Sequence, residues 1–245
     1  MVSERSTAIL YADDLTILQF VPPNQIDTMQ SECIALAEWS AKNSLTINFT
    51  KTKGVVFQRN SSSGIPEHFQ NIKIHGHVIE YVENAKVLGM ILSSNCSSLL
   101  HKDHIKKKYC ISISFIKRIW QKGLNGSSLW NIYLALSFCH LSYAWPAWCN
   151  IPKSKLNDIV SIHKRVARWA NITINAEKDF YDRLNNICMR LMKCIDKDFS
   201  HHPLAQFFTK RNASNYNIRN RNAFLPTIFK TNLTRNTFMK FYNTL

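Results

Sequence analysis

Glycine is scarce, with six among 245 residues, and seven prolines are spread thinly. A chain with so few breakers suits long helices, and collagen-like or low-complexity organisation is excluded. No apolar run approaches the roughly 20 residues that span a bilayer, which excludes a hydrophobic membrane helix as the organising element. Met1-Val2-Ser3-Glu4-Arg5-Ser6-Thr7 does not form a signal peptide. The seven cysteines include no Cys-x-x-Cys pair, so a zinc knuckle has little support, and His201-His202 has no cysteine partner at zinc spacing. A reduced intracellular chain, nuclear or cytoplasmic and not secreted, is the simplest expectation. The Asn-x-Ser/Thr sequons follow from the abundance of Asn rather than from glycosylation.

Acidic residues are also few: 16 Asp and Glu against 31 Lys and Arg, a net charge of +15. The imbalance is local. Residues 1–100 carry seven basic and nine acidic side chains, for −2, and residues 101–245 carry the other 24 and seven, for +17. A basic half of this size suits a polyanion such as nucleic acid, or else forms a solvated basic surface. With 45% hydrophobic residues the chain can bury a substantial core.

The stretch that stands out is Ala8-Ile9-Leu10-Tyr11-Ala12-Asp13-Asp14-Leu15-Thr16-Ile17-Leu18. Two strand-like runs flank Tyr11-Ala12-Asp13-Asp14, predicting a hairpin with two adjacent carboxylates at its tip, in a turn that Asp tolerates. Such a pair is either a solvated turn or a Mg²⁺ site, because adjacent carboxylates repel unless a hard cation sits between them. Pro22-Pro23 ends the second strand, and Ile26, Met29, Cys33 and Leu36 mark one face of a helix running from Asp27 to Lys42. Leu45–Phe49 and Val55–Phe57 read as a strand pair linked by a basic loop over Thr50–Gly54. Three more strands are expected at 72–74, 78–82 and 87–92.

From Leu99 the period becomes helical. Ile105, Tyr109, Ile113, Ile116 and Trp120 stripe a first basic helix. Ser127 is expected to cap a second, with Leu129, Ile132, Leu136, Cys139 and Tyr143 inward and Pro146 as its stop. Helices at 153–170 and 179–196 follow, the third with Leu156, Ile159, Val160, His163 and Val166 inward. Trp39, Trp120, Trp145 and Trp148 read as core or interface aromatics, and His104, His140 and His163 as structural. The expectation is an α+β chain with segments at 1–98, 99–200 and 201–245, the last a polar tail.

The order of these pieces resembles the reverse transcriptases of non-LTR (LINE-type) retrotransposons. The matching stretches are Tyr11-Ala12-Asp13-Asp14, the Trp39 to Phe57 segment with its Leu-x-x-Asn-x-x-Lys-Thr-Lys pattern, Lys86-Val87-Leu88-Gly89, His104-Ile105 opening the basic helix, Tyr143-Ala144-Trp145-Pro146-Ala147-Trp148, and Phe224-Leu225-Pro226 through Phe238. The resemblance implies a partial polymerase palm, antiparallel strands with a backing helix, followed by an all-helical basic thumb-like region. It makes Asp13 and Asp14 the catalytic ligands of Mg²⁺, with Mn²⁺ as the alternative ion. Tyr11 would lie under the nucleotide or primer end. Asn48, Lys51 and Lys53 fall near the triphosphate, or serve only to solvate a loop. Leu88 and Gly89 match the primer-gripping hairpin, and Lys106, Lys107, Lys108, Lys117 and Arg118 would meet duplex phosphates. Its partners are an RNA template, a DNA primer and, once completed by an upstream half, dNTPs; no membrane is implied.

The family's further palm Asp and its fingers lie upstream of this hairpin, where only ten residues precede Tyr11. The expectation is therefore a truncated or fragmentary polymerase, inactive alone, with a non-catalytic nucleic-acid-binding protein and a non-functional retroelement remnant as alternatives. From the charge split, 101–245 is expected to bind duplex and 1–100 not. Five or six phosphate contacts predict a log–log salt slope of about −4 to −5, measured by titrating labelled duplex with each half at several salt concentrations.

Overall fold

A computed structural model describes residues 6–21, 28–57 and 71–205. The structure is mixed α+β and divides into two compact units, residues 1–97 and 98–245. The tail beyond 205, including Phe224–Phe238, lies outside the described residues, as does Ile26.

In the first unit β1 (Ser6–Tyr11) and β2 (Asp14–Gln19) form the expected hairpin, with Tyr11 opposite Asp14 and Leu10 opposite Leu15. The left-handed turn residue is Ala12 (φ 52°) rather than an Asp. Gln19 fastens the hairpin to the start of α1 (Met29–Lys42): its Nε2 donates to Thr28 Oγ1 at 2.5 Å, and Thr28 N–H donates back to Oε1 at 3.2 Å. The helix buries Cys33 and Ala37 against Ile72, Ile74 and Ile79. Gln30 then behaves as a piece of strand. Its amide accepts from Lys73 N–H at 2.8 Å and donates to Lys73 C=O at 3.0 Å, satisfying both main-chain groups of one residue.

The expected strand at Leu45–Phe49 is absent, because Asn48 takes the chain into a turn. Its Oδ1 accepts from Lys51 N–H and Thr50 Oγ1, and its C=O from Thr52 N–H. Val55–Phe57 is likewise not a strand. Instead β3 (Lys53–Gly54) pairs parallel with β6 (Glu80–Tyr81). A Cβ on Gly54 would sit 2.5 Å from the Tyr81 ring, so this pairing needs the missing side chain. β4 (Lys73–Ile74) pairs with β5 (His77–Val78), and β7 (Asn84–Val87) with β8 (Met90–Ser93). The run expected as one strand at 87–92 is thus folded back on itself at Leu88 (φ 47°) and Gly89 (φ 83°). Among the described residues the unit holds four separate two-stranded sheets.

The second unit is helical. α2 (Leu99–Gln121) buries Ile105, Tyr109, Ile113 and Ile116, but Trp120 is 37% exposed, unlike its expected place in the core stripe. α3 (Gly126–Tyr133) is capped by Asn125, whose side chain accepts from Ser127 N–H at 2.8 Å, so the expected cap at Ser127 moves two residues back. A π-helical turn (Leu134–Phe138) then leads into α4 (Cys139–Ser142). The buried face is Leu129, Trp130, Tyr133, Phe138 and Leu141, while Leu136, Cys139 and Tyr143 are exposed, contrary to expectation. The extra residue of the π turn rotates everything after it, and the larger aromatics occupy the interior. Pro146 does not stop this helix. It sits in the first turn of α5 (Trp145–Trp148), where its missing N–H costs nothing.

A 3₁₀ turn (Lys153–Leu156) precedes α6 (Asn157–Trp169), which turns Ile159, Val160, His163 and Val166 inward as expected. α7 (Ala176–Lys197) is capped by Asn175, carries Glu177 and Asp179 in its first turn and buries Phe180, Leu184, Cys188, Met192 and Ile195. All seven cysteines are free. A hydrogen bond between the Cys149 and Cys188 thiols, together with burial, holds the Cys149 thiol protonated.

The start of α3 meets the end of α6 at Gly126, where a Cβ would lie 2.2 Å from the Ala170 carbonyl oxygen. Backbone must move to admit it. Gly126→Ala is expected to destabilise the chain by about 1–3 kcal/mol, the usual cost of overpacking, read as a lower denaturant midpoint at unchanged m-value.

Candidate functional site

Asp13 lies in the β1–β2 turn and Asp14 opens β2; both are exposed. Among the described residues neither carboxylate has an ion-pair or hydrogen-bond partner, and no cluster of three His, Cys, Asp or Glu side chains that could hold a metal occurs. Two neighbouring carboxylates fit one Mg²⁺ that takes its remaining oxygens from water and phosphate. A two-ion centre needs a further shared acid. Tyr11 is 64% exposed and stands opposite Asp14 on the hairpin. Leu10, Leu15, Ala8 and Ile17 share one hairpin face by register, and Leu10 is 61% exposed. The other face, with Ile9 and Leu18, is open as well, so the hairpin buries neither of its apolar faces.

Of the residues placed near a triphosphate, Asn48 spends its side chain on the turn described above, and Lys51 is exposed. Lys53 is paired with Glu80 across the β3–β6 ladder, so its charge is already offset. Leu88 and Gly89 form the exposed tip of the β7–β8 hairpin. Trp39 is 46% exposed and does not join the α1 core.

In the helical unit the five expected phosphate contacts divide. Lys106 is tied to Asp158 at 2.5 Å. Burial would raise the Asp158 carboxyl, but the Lys106 hydrogen bond, the Ile159 N–H and the nearby Lys102 outweigh it and hold the group below the usual carboxylate range. Lys107, Lys108, Lys117 and Arg118 are exposed on α2, with no acidic partner among the described residues. From the sequence Arg165 is an outward residue of the third helix with no role assigned, and Trp169 goes unremarked. Arg165 lies over the Trp169 ring at 5.6 Å, and Trp169 stacks on Trp120 with centroids 5.2 Å apart and 14° between planes. The available signal was the i, i+4 spacing of Arg165 and Trp169 on the outward face of α6.

The buried centre of this unit is polar. Tyr109 and Tyr133 hydroxyls are 2.9 Å apart, and Tyr133 Oη is 2.6 Å from His163 Nδ1. His163 Nε2 lies 3.3 Å from Asp179 Oδ2, off the line of a hydrogen bond, and Asp179 accepts from Arg183 Nε at 2.6 Å. A carboxylate only accepts, so the imidazole proton belongs on Nε2, Nδ1 accepts from Tyr133, and Tyr133 accepts from Tyr109. Burial pushes both phenols up and keeps them neutral. Burial also lowers His163 to about 4, although Asp179 pulls the other way. No protein-family model, curated protein or solved structure matches the chain.

A histidine held below its unfolded value binds its proton more readily in the unfolded chain. Its contribution is therefore intact above pH 6.5 and is lost as pH falls toward 4. From this group alone the chain is expected to lose about 2 kcal/mol of stability between pH 7 and pH 5. Urea denaturation of wild type and His163→Gln at both pH values checks it, since the variant should lack that increment.

Proposed function

We propose that this chain is part of an RNA-directed DNA polymerase of the non-LTR retrotransposon type, with Asp13 and Asp14 as its metal ligands and the helical unit holding template and primer. The observation that carries this reading is the hairpin. Its turn carries Asp13 and its last ladder pair carries Asp14, so both carboxylates stand unpartnered at one end of a six-residue register, on strands with an open apolar face. A palm strand needs such a face, because it is one layer of a larger sheet. The second tight hairpin, turning at Leu88 and Gly89 with both in the left-handed region, supports the reading, since the resemblance puts the primer-gripping element at these residues.

In this reading Asp13 and Asp14 hold Mg²⁺, and Tyr11, exposed beside Asp14, offers a ring to the nucleotide or primer end. The chemistry such an ion supplies is activation of a primer 3′ hydroxyl and stabilisation of the departing pyrophosphate. Lys51, Lys107, Lys108, Lys117 and Arg118 are left to meet phosphates, whereas Lys53 and Lys106 serve the fold first. A second reading, nucleic-acid binding without catalysis, draws on the helical unit alone. Its cations outnumber its acids, and the acids of α2 and α6, Asp103 and Asp158, are already paired with Lys102 and Lys106.

The test is to fuse the fingers and first palm segment of a related intact element ahead of Ser6 and assay DNA synthesis on primed RNA. The fusion is expected to polymerise, and Asp13→Ala to cost at least about 100-fold, since a lost metal ligand removes several kcal/mol of transition-state stabilisation. Lys53→Ala should cost far less, because that side chain is engaged by Glu80. A folded fusion that polymerises equally well without Asp13 would show that the hairpin is not the metal site.

A further inference from the structure

Between α2 and α6 lies a cleft of about 250 Å³, with room for a single nucleotide unit. The two helices run side by side in the same direction: Lys106 meets Asp158 near their starts, and Trp120 meets Trp169 at their ends. Both pack on α3, so the space between them is a trough rather than a tight seam. Ile113 and Ile162 give it an apolar lining, and Lys117 and Arg165 face into it from opposite walls.

Charge along this trough is sorted. Each helix contributes one carboxylate near its start, Asp103 in α2 and Asp158 in α6, and both are neutralised by lysines there. The far half holds Lys117, Arg118, Arg165 and Arg168 with no acidic partner among the described residues. Arg118 and Arg168 sit in the last turns, where offsetting the helix carbonyls accounts for them. Lys117 and Arg165 face the cleft and have no such explanation.

Aromatic rings close the same end. Trp169 lines the cleft and stacks on Trp120, Arg165 lies over the Trp169 ring, and Trp120, next to the lining, is still 37% exposed. Stacking a guanidinium on an indole fixes its plane while leaving its N–H donors free at the edge. An indole open to solvent beside two cations suits a group that is flat at one end and anionic at the other. We propose that this cleft binds single-stranded nucleic acid, one phosphate lying between Lys117 and Arg165 and the adjoining base stacked on Trp120. A duplex cannot make the second contact, because its bases already stack on each other. The assignment rests on the nucleic-acid-binding reading above and makes it specific to one site and one form of the strand.

The experiment uses the full chain and a fluorescein-labelled twelve-residue oligothymidylate, followed by anisotropy across a salt series, with a twelve-base-pair duplex in parallel. Trp120→Ala is expected to weaken strand binding roughly 5- to 100-fold, the range for removing one stacking platform, and Trp120→Phe to restore most of it. The exposed double variant Lys117→Gln/Arg165→Gln should weaken binding and reduce the single-strand salt slope by about 1.4, while Lys193→Gln, outside the cleft, should change neither. Cys110 lines the cleft and provides a second readout: bound strand should slow its alkylation but not that of exposed Cys139 or Cys194.

Strand binding that ignores all cleft variants, with Cys110 alkylated at its free rate, would overturn the cleft and leave the wider reading standing. Failure to bind either nucleic acid at low salt would overturn both. Duplex binding that is lost with the charge variants but indifferent to Trp120→Ala would assign the cleft to a duplex backbone and refute the single-strand proposal.

Discussion

The helical unit depends on one buried run of polar contacts, from Tyr109 through Tyr133 and His163 to Asp179 and Arg183. Each member comes from a different element or closes the chain at its surface: Tyr109 from α2, Tyr133 from α3, His163 from α6, and Asp179 with Arg183 from α7. Apolar side chains would fill the same volume, but hydrophobic packing is non-directional and would not specify how four helices are turned about their axes. A hydroxyl with no water available must point at its partner, as those of Tyr109 and Tyr133 do, and a missed partner costs about 1–3 kcal/mol. The aromatic bodies of Trp130, Phe138 and Phe180 surround His163, so the network also sits inside a well-packed core. Arg183 closes the run by pairing with Asp179 while lying 5.7 Å over Trp130, which leaves the buried end compensated and the charged end near solvent.

Among the described residues the first unit has no counterpart to this centre. Its core among those residues is Cys33, Ala37, Ile72, Ile74 and Ile79, and its sheets are two strands each. Two-stranded sheets are marginal unless packed against something, and here β4–β5, the neighbouring Ile79 and, through Tyr81, β6 gain that support from the α1 cluster. The β1–β2 hairpin is held by its own ladder and by the Gln19–Thr28 hydrogen bonds, with most of its apolar side chains open. This asymmetry matches the charge asymmetry of the sequence. The half with strong burial carries the excess cations on its outside, where a polyanion can reach them, and the half with open apolar strand faces carries the paired carboxylates.

Much of this was legible in the residues. Strong periodicity located α1, α2, α6 and α7 and their buried stripes, and alternation located the hairpin around Tyr11–Asp14. Local chemistry decides such features, since an amphipathic helix or a two-residue turn is specified within a dozen residues. The misreadings have equally local causes. Asn48 captured the backbone through its side chain and removed a strand that alternation predicted. The π turn at Leu134–Phe138 shifted the helical phase, so the positions expected inward at Leu136, Cys139 and Tyr143 came out exposed.

The sequence by itself determined where the long helices and the first hairpin form, where the carboxylates of that hairpin stand, and that the second half is strongly basic. Only the tertiary structure decided which of those charges are still available. Lys53 and Lys106 look identical to Lys51 and Lys107 in a sequence, yet Glu80 and Asp158 reach the first pair and not the second. The same holds for Trp120, Trp169, Arg165 and Lys117, which lie on helices about 50 residues apart and meet only because α2 and α6 both pack on α3. Backbone conformation is dominated by neighbours in the chain, whereas charge compensation and aromatic stacking fall off within a few ångströms and depend on neighbours in space.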